Sequence, residues 1–484
     1  MSSKGLNTKK IKQPKGLNIF CISIFFERYG FYIIQALLVL YLIQFFHTTN
    51  ALAYSILGSF IALCYIMPLI GGAVADKYLG LKRTMFVGAI IEGLGMFLLV
   101  LPGMYALYFG LATIAIGMGL LKPAASSLVG FLYEKEDTRQ DSGYTLFYSI
   151  FNCGIMLATF TSGYLVRYYG WQITFSSTVL ALIITYFILY FGLKLYKLED
   201  IGPNVKTTLK GSLISTVIVI ICILIGYIIL KSNTIAIAAF IIVCIAVICI
   251  FIYCIAKSEK EYKTKLVSFF LLLVISTIFW AMYMQMFLSI TMYIKNVVNK
   301  DLLGFIIPAP AFAGLESIGV ILFGYPLAKL WIALGKKKRN PSFPTKFSIG
   351  MLLLLISFGA LAFGTMISGS SLVNPIWILL AYLILAVGEL VLSPTGLSMV
   401  NVLVPEKFNG LMMGVFLLTI GLGGKLAGML AQFANVPQHL QNNTAAIESI
   451  YSHAFNVYVL ITAVFTIISF LLIPYINRKI KGQN

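Results

Sequence analysis

Residues 16–46 read GLNIFCISIFFERYGFYIIQALLVLYLIQFF, an apolar run that is long enough to cross a bilayer. Glu27 and Arg28 lie side by side within it, although a charge at the centre of a membrane costs about 3 kcal/mol. The run therefore predicts a membrane-spanning helix whose charged residues serve a function. Because neighbouring residues point about 100° apart on a helix, we expect the two charges to meet different partners.

The composition of the whole chain is that of an integral membrane protein. Of its 484 residues, 60% are hydrophobic and 11% are charged. Soluble domains have about 45–50% apolar and about 25% charged residues. The net charge is +19, which the positive-inside rule explains by Lys and Arg in cytoplasmic loops. We therefore expect a lipid bilayer around the chain, and we expect no nucleic-acid partner.

Two basic tails predict the orientation of the chain. KKIKQPK (9–15) precedes the first apolar run and RKIKG (478–482) follows the last one. About fourteen segments are apolar and long enough to span a membrane, and an even number of spans puts both termini on one side. The chain is predicted to cross the bacterial inner (plasma) membrane many times, with both termini cytoplasmic.

The predicted spans divide into six, two and six. The predicted regions are a cytoplasmic N-terminal tail (1–17), an N-terminal six-helix bundle (18–200), two inserted helices (201–260), a C-terminal six-helix bundle (261–476) and a cytoplasmic C-terminal tail (477–484). Two bundles around a central cavity are the arrangement of transporters whose halves rock about a bound substrate. The inserted pair is interpreted as lipid-facing packing helices.

The loop GGAVADKYLGLKR (71–83) resembles the signature loop of the major facilitator superfamily in the spacing of its glycines, acid and basic residues. The resemblance implies an all-α membrane protein with the major facilitator fold. It also implies that Asp76, Lys82 and Arg83 belong to a gating or conformational loop. The corresponding loop of the second half, 335–346, is basic but lacks the same spacing.

Seven charged residues lie well inside predicted spans, and each is a candidate functional residue because a charge in a membrane is costly. They are the acids Glu27, Glu92, Glu316 and Glu389 and the cations Arg28, Lys122 and Lys425. Lys425 is interpreted as the partner of an acid, and Glu92 has no predicted role.

Polar residues at helical spacing predict which side chains face the cavity. Arg28, Tyr32 and Gln35 lie at positions i, i+4 and i+7 and so share one face. This face would present a guanidinium, a phenol and an amide.

Two further pairs follow the same spacing. Tyr148 and Asn152 are four residues apart, as are Glu389 and Ser393. Pro394 is expected to break the helix just beyond the second pair.

The candidate charges divide by sign between the two halves. The first half supplies Arg28 and Lys122, and the second supplies Glu316 and Glu389. A zwitterion with separated ends suits such a cavity, and a dipeptide spans about 7 Å between its termini. Its carboxylate would face the cations and its amine the acids.

Five motifs resemble those of the proton-dependent oligopeptide transporter family and occur in the same order along nearly the whole chain. They are ERYGFYIIQ, GLLKPAASSLV, FYSIFNCG, FWAMYMQM and GELVLSPTGLSMV. The resemblance implies a proton-coupled symporter that imports di- and tripeptides by alternating access.

The resemblance also implies a set of site residues. For peptide binding it implies Arg28, Tyr32, Tyr65, Lys122, Tyr148, Asn152, Glu389 and Ser393. To these we add Gln35 from the helix face, Trp280 from the FWAMYMQM motif, and Glu316 and Phe416, which stand where the family has an Asn and a Trp. The proton-coupling set is Glu27, Arg28, Lys122 and Glu316.

The sequence departs from the family motifs where the family has carboxylates. Ile24 replaces the first acid of the first-helix motif, and Met284 replaces the seventh-helix acid; Phe31 replaces a Tyr. We therefore predict that Glu316 is a displaced proton site, with Glu27 as the other. The alternative, that Glu316 is a permanent anchor for the substrate amine, stays open.

Other functions are compatible with parts of this pattern. A transporter of the same fold could carry another small zwitterion, an anion or a drug, and a nontransporting peptide sensor would keep the binding face. An enzyme is disfavoured because the chain has no HExxH, no Cys/His cluster and no GxSxG with partners. We expect no metal and no cofactor, and we expect a monomer.

Overall fold

The computed structural model describes residues 12–481, apart from 135, 136, 138, 199, 200, 204, 206, 303, 370, 441 and 442. Its helices are α1 (Leu17–Gln44), α2 (Asn50–Val74), α3 (Leu81–Val100), α4 (Met104–Gly130), α5 (Gln140–Leu195), α6 (Leu209–Lys231), α7 (Asn233–Lys257), α8 (Lys260–Tyr283), α9 (Ser289–Val297), α10 (Gly314–Lys336), α11 (Phe343–Ser368), α12 (Ile376–Leu403), α13 (Asn409–Leu430) and α14 (Thr444–Lys481). A small hairpin of β1 (Asp301–Leu302) and β2 (Phe305–Ile306) lies between α9 and α10.

Among the described residues, thirteen helical elements are long and apolar enough to span a membrane, and this number takes α5 as one element. It has 56 residues, which would measure about 84 Å if straight. The helix is interrupted at Gly170, whose φ of 78° lies in the region that favours glycine. Beyond this point α5 runs antiparallel to α1, because Phe175 contacts Tyr41 and Gly192 faces Ile19. With α5 divided at Gly170, the described residues contain fourteen segments that are long and apolar enough to cross a membrane, in agreement with the predicted number of about fourteen.

The helices form two bundles. Helices α1 to α5 pack mainly with each other, α8 to α14 do the same, and α6 and α7 lie against α4, α2 and α8. The bundles meet where α2 packs on α13 and where α5 packs on α10. At the first contact a Cβ on Gly58 would lie 2.8 Å from the carbonyl oxygen of Gly424, so only small residues allow this approach. The fold class is confirmed, while the residue boundaries of the regions stay a prediction.

The expectation that Pro394 breaks its helix is wrong. Helix α12 continues through this residue to Leu403. Proline removes one backbone hydrogen bond, but in an apolar environment the remaining backbone groups still have to pair within the helix. Glu389 and Ser393 therefore stand on one continuous helix.

The loop between α2 and α3 is a tight connection. Asp76 is exposed and lies in a π-helical turn, Ala75–Leu79. Gly80 follows with a φ of 75°, and α3 begins immediately afterwards with Lys82 and Arg83 in its first turn. The gating role of this loop stays a prediction.

Candidate functional site

A cavity of about 420 Å³ lies between the two bundles. Ten of the twelve predicted substrate-binding residues line it, although they come from seven helices. These residues are Tyr32, Gln35, Tyr65, Lys122, Tyr148, Asn152, Trp280, Glu316, Glu389 and Ser393. The volume is in the usual range for small-molecule sites, about 300–1,000 Å³.

The cavity is open at one end and closed at the other. Tyr144 and Leu417 line the open end and are 36% and 39% exposed, whereas Gln35 and Phe287 at the other end are 4% and 3% exposed. The open end lies at the start of α5 and of α13, on the same side as the start of α1, since an even number of crossings separates these points. The structure is therefore open toward the side of the N-terminus.

The first-half wall is the part of the cavity lined by residues of α1 to α5, and Lys122 is its cation. Its Nζ lies 5.6 Å from the centre of the Tyr65 ring and 5.4 Å from that of Phe151. Such distances allow cation–π attraction. None of the ion pairs among the described residues includes Lys122. The ammonium therefore meets ring faces and the cavity.

Unlike Lys122, Arg28 is paired with an acid. The expectation that Glu27 and Arg28 meet different partners is therefore wrong. The Nε and Nη2 atoms of Arg28 donate to the two carboxylate oxygens of Glu27, and both side chains are buried. The guanidinium carbon lies 5.2 Å from the centre of the Phe151 ring. Buried charges require compensation, and two long neighbouring side chains can bend toward each other where no other partner is closer. Arg28 is thus absent from the residues that line the cavity in the described chain.

The second-half wall is the part of the cavity lined by residues of α8 to α13, and it carries two acids, Glu316 and Glu389. Glu389 accepts hydrogen bonds from the Tyr283 hydroxyl at 2.8 Å and from the Tyr148 hydroxyl at 3.4 Å. Glu316 accepts one from the Ser317 hydroxyl at 3.4 Å, and its Oε1 has no partner among the described residues. The carboxyl groups of Glu316 and Glu389 are near enough to interact electrostatically. This wall can receive a proton or an ammonium group.

Phe416 lies behind the wall of the cavity. It is 1% exposed, and a Cβ on Gly396 would clash with its ring. Its neighbours on α13, Leu417 and Ile420, line the cavity in its place. Sequence position alone could not distinguish these residues, because the rotation of α13 about its axis decides which of them faces inward.

Tyr283 was missed by the sequence analysis. It lies within FWAMYMQM, three residues after Trp280, and residues three apart share a helix face. Both side chains line the cavity. The spacing of three residues from Trp280 was sufficient to predict that Tyr283 also faces the cavity.

Four of the seven intramembrane charges lie outside the cavity wall, and two of them, Lys425 and Glu92, do not belong to the Glu27–Arg28 pair. Lys425 donates to the Ser59 hydroxyl at 3.0 Å and to Oδ1 of Asn233 at 3.2 Å, so the expectation of an acidic partner is wrong. Two polar oxygens from other helices are sufficient to satisfy its ammonium group. Glu92 on α3 is fully buried, and neither of its carboxyl oxygens has a hydrogen-bond partner among the described residues.

A sequence profile of the POT family matches residues 82–450. The chain belongs to the POT family. It is 30% identical over 484 residues to dipeptide and tripeptide permease A of Edwardsiella piscicida, covering 99% of this chain and 98% of that protein. It is 33% identical to the uncharacterized transporter YclF of Bacillus subtilis (strain 168), covering 97% and 95% of the two chains.

The fold is also that of a solved member of the family. The crystal structure of peptide transporter POT in complex with sulfate has a TM-score of 0.86 and 28% identity to this chain, covering 98% of this chain and 97% of that one.

Two of the departures from the POT-family motifs lie at the cavity. Ile24 and Met284 both line it, and each is apolar where the resemblance implies an acid. The acids that do line the cavity, Glu316 and Glu389, stand on α10 and α12. Because Ile24 and Met284 cannot bind a proton, a proton that moves with the substrate must use carboxyl groups at other positions.

Proposed function

We propose that this POT-family protein is a membrane transporter that imports di- and tripeptides together with protons by alternating access. The observation that supports this proposal most directly is that the two cavity walls carry opposite charge. Lys122 lies on one wall, and Glu316 and Glu389 lie on the other. Charge-assisted hydrogen bonds to both ends of a zwitterion recognise a free peptide. The name of the dipeptide and tripeptide permease relative supports the same substrate class.

The ends of the peptide meet different helices in this proposal. The carboxylate binds Lys122 on α4, and the amine binds Glu389 or Glu316. Asn152 keeps its side-chain oxygen for the peptide, because its amide nitrogen donates to the Tyr148 carbonyl at 2.9 Å. A dipeptide of about 7 Å between its ends reaches from one wall toward the other.

We propose that Glu316, Glu27, Arg28 and Lys122 couple transport to protons. Glu316 has an unpartnered oxygen beside Glu389, and carboxyl groups at one site bind a proton or a cation in common. The Glu27–Arg28 pair is buried beside Phe151, a residue of the cavity wall. Asp76, Lys82 and Arg83 remain candidates for the loop that changes conformation.

We place the protein in the bacterial inner (plasma) membrane, as a monomer with both termini cytoplasmic. The basic N-terminal tail and the open end of the cavity lie on the same side of the helices. By the positive-inside rule this side is the cytoplasm, so the structure corresponds to an inward-open state.

The test is uptake of labelled dialanine by proteoliposomes. With an inward proton gradient the protein should concentrate the peptide, and a protonophore should stop this accumulation. Failure of the purified protein to bind or move any di- or tripeptide would overturn the proposal.

Counterflow separates a transporter from a sensor. Liposomes preloaded with unlabelled dialanine should exchange it for labelled peptide without any proton gradient, whereas a sensor would bind without exchange. Competition by dialanine also distinguishes a peptide site from a site for a small anion, which would use Lys122 and leave the two acids without a role.

A further inference from the structure

Glu92 is a buried acid that the proposed binding site does not use. It is 0% exposed, and neither of its carboxyl oxygens has a hydrogen-bond partner in the part of the chain that the structure describes. The backbone of α4 lies directly against it, since a Cβ on Gly117 would come within 2.6 Å of the Glu92 Cβ. An ionised carboxylate in such a place is costly unless a cation compensates it, whereas a protonated carboxyl is neutral.

The titratable groups around Glu92 come from several helices. Among the charged groups, Glu27 and Arg28 of α1 interact with it most strongly and Lys122 of α4 less strongly, and Cys64 of α2 is a further titratable neighbour. Helix α5 also packs on α3.

Among the described residues, helix α5 brings an apolar side chain next to Glu92 and an aromatic ring farther along α3. It places Leu182 beside Gly93, and its Tyr186 meets Phe86, six residues from Glu92 along α3. The charged neighbours of Glu92 are therefore those of α1 and α4.

The charges of this cluster do not balance without Glu92. Arg28 is neutralised by its paired acid Glu27, so Lys122 is the remaining cation and Glu92 the remaining acid. If Glu92 is ionised the four groups sum to zero, and if it is protonated they sum to one positive charge. Arg28 and Lys122 lie against the same Phe151 ring, at 5.2 and 5.4 Å from its centre, and Lys122 belongs both to this cluster and to the cavity wall.

We propose that Glu92 binds a transported proton and that this proton decides whether Lys122 is available to the carboxylate of the peptide. The inference rests on the proposed function. With the proton on Glu92, Lys122 has no acid to compensate it and binds the peptide. When the proton leaves, the Glu92 carboxylate attracts Lys122, and the peptide carboxylate loses its partner.

The step is a simple proton equilibrium. A carboxylate oxygen of Glu92 gains a proton from water on one side of the membrane and returns it on the other, and no covalent bond to the peptide forms. Because binding free energies are reciprocal, a proton that strengthens peptide binding is itself held more tightly when peptide is bound. At a fully buried position, a neutral carboxyl of Glu92 costs less than an ionised one.

The test compares the wild type with Glu92→Gln by dialanine binding over a range of pH. The wild-type affinity should fall as pH rises. The affinity of the variant should depend on one linked proton fewer, so that its fall per pH unit is about tenfold smaller than in the wild type. At low pH the variant and the wild type should bind dialanine with the same affinity. In proteoliposomes the variant should still exchange peptide in counterflow but should not accumulate it under a proton gradient.

Glu92→Met is a second variant, because it replaces a neutral buried carboxyl by an apolar side chain of similar length. It should give the same reduced pH dependence if Gln at this position does not fold. Glu406→Gln, on an exposed turn between α12 and α13, is the matched control and should behave as the wild type.

Wild-type pH dependence together with wild-type accumulation in a folded Glu92 variant would overturn the inference. A wild type that neither binds nor exchanges dialanine would instead overturn the proposed function, so the two failures are distinguishable.

Discussion

The two walls of the cavity carry opposite charge and compensate it differently. On the first-half wall Lys122 faces the rings of Tyr65 and Phe151, while the nearby Arg28 is paired with its neighbour Glu27. On the second-half wall two acids lie near each other, and their hydrogen bonds come from hydroxyl groups. None of the ion pairs among the described residues joins the two walls.

The difference shows that each wall is electrostatically incomplete by itself. A buried charge without a counter-charge is costly, and a ligand that carries both charges compensates both walls at once. A ligand with one charge would leave the opposite wall unchanged. The comparison therefore predicts that damage to either wall affects a different end of the peptide.

The largest effect is expected from Lys122→Gln. It removes the cation of the first-half wall and should abolish gradient-driven peptide uptake in proteoliposomes. Lys425→Gln is the matched control, because this buried lysine donates to Ser59 and Asn233 outside the cavity. A Lys122 variant that still concentrates peptide would show that the ammonium group lines the cavity without being needed for uptake.

Glu316→Gln should have the next largest effect. It removes a carboxyl of the second-half wall whose Oε1 has no partner among the described residues, and it keeps the size of the side chain. We expect peptide exchange in counterflow to persist and proton-driven accumulation to be lost. If accumulation continues at the wild-type rate, Glu316 is not a coupling residue, and Glu27 is the next residue to test.

Blocking one end of the peptide should distinguish the walls. N-acetylated dialanine and C-amidated dialanine should each bind more weakly than the free peptide by about 1 kcal/mol or more, the contribution of one hydrogen bond to a charged group. Amidation should have no further effect in Lys122→Gln, because the partner of the carboxylate is already absent. Competition by a peptide blocked at both ends as strong as that by the free peptide would contradict the two-wall arrangement.

The smallest effect is expected from Tyr283→Phe. The Tyr283 hydroxyl donates to Glu389 at 2.8 Å and holds this carboxylate toward the cavity. Its loss should weaken dialanine binding by about 1 kcal/mol. Tyr293→Phe is the control, since its hydroxyl bonds Thr365 away from the cavity at 2.6 Å and its removal should leave the affinity unchanged.

Much of the candidate site was predictable because it follows helical spacing. Tyr148 with Asn152 and Glu389 with Ser393 share faces that a period of 3.6 residues defines, and all four line the cavity. The assignment of Arg28 failed for a different reason. Its long side chain reaches either the cavity or Glu27, and spacing along the helix does not decide between them.

The long apolar runs and the order of the motifs were sufficient to predict a membrane protein of about fourteen spans in the POT family, because both can be read along the chain without its tertiary structure. The partner of each buried charge could not be predicted in this way, because it depends on how the helices pack. Lys425 bonds Ser59 and Asn233, which are 366 and 192 residues away in the chain, while Arg28 bonds the residue beside it. The physical reason is that the partner of a buried charge depends on the rotation of each helix and on which neighbouring groups can compensate the charge at least cost.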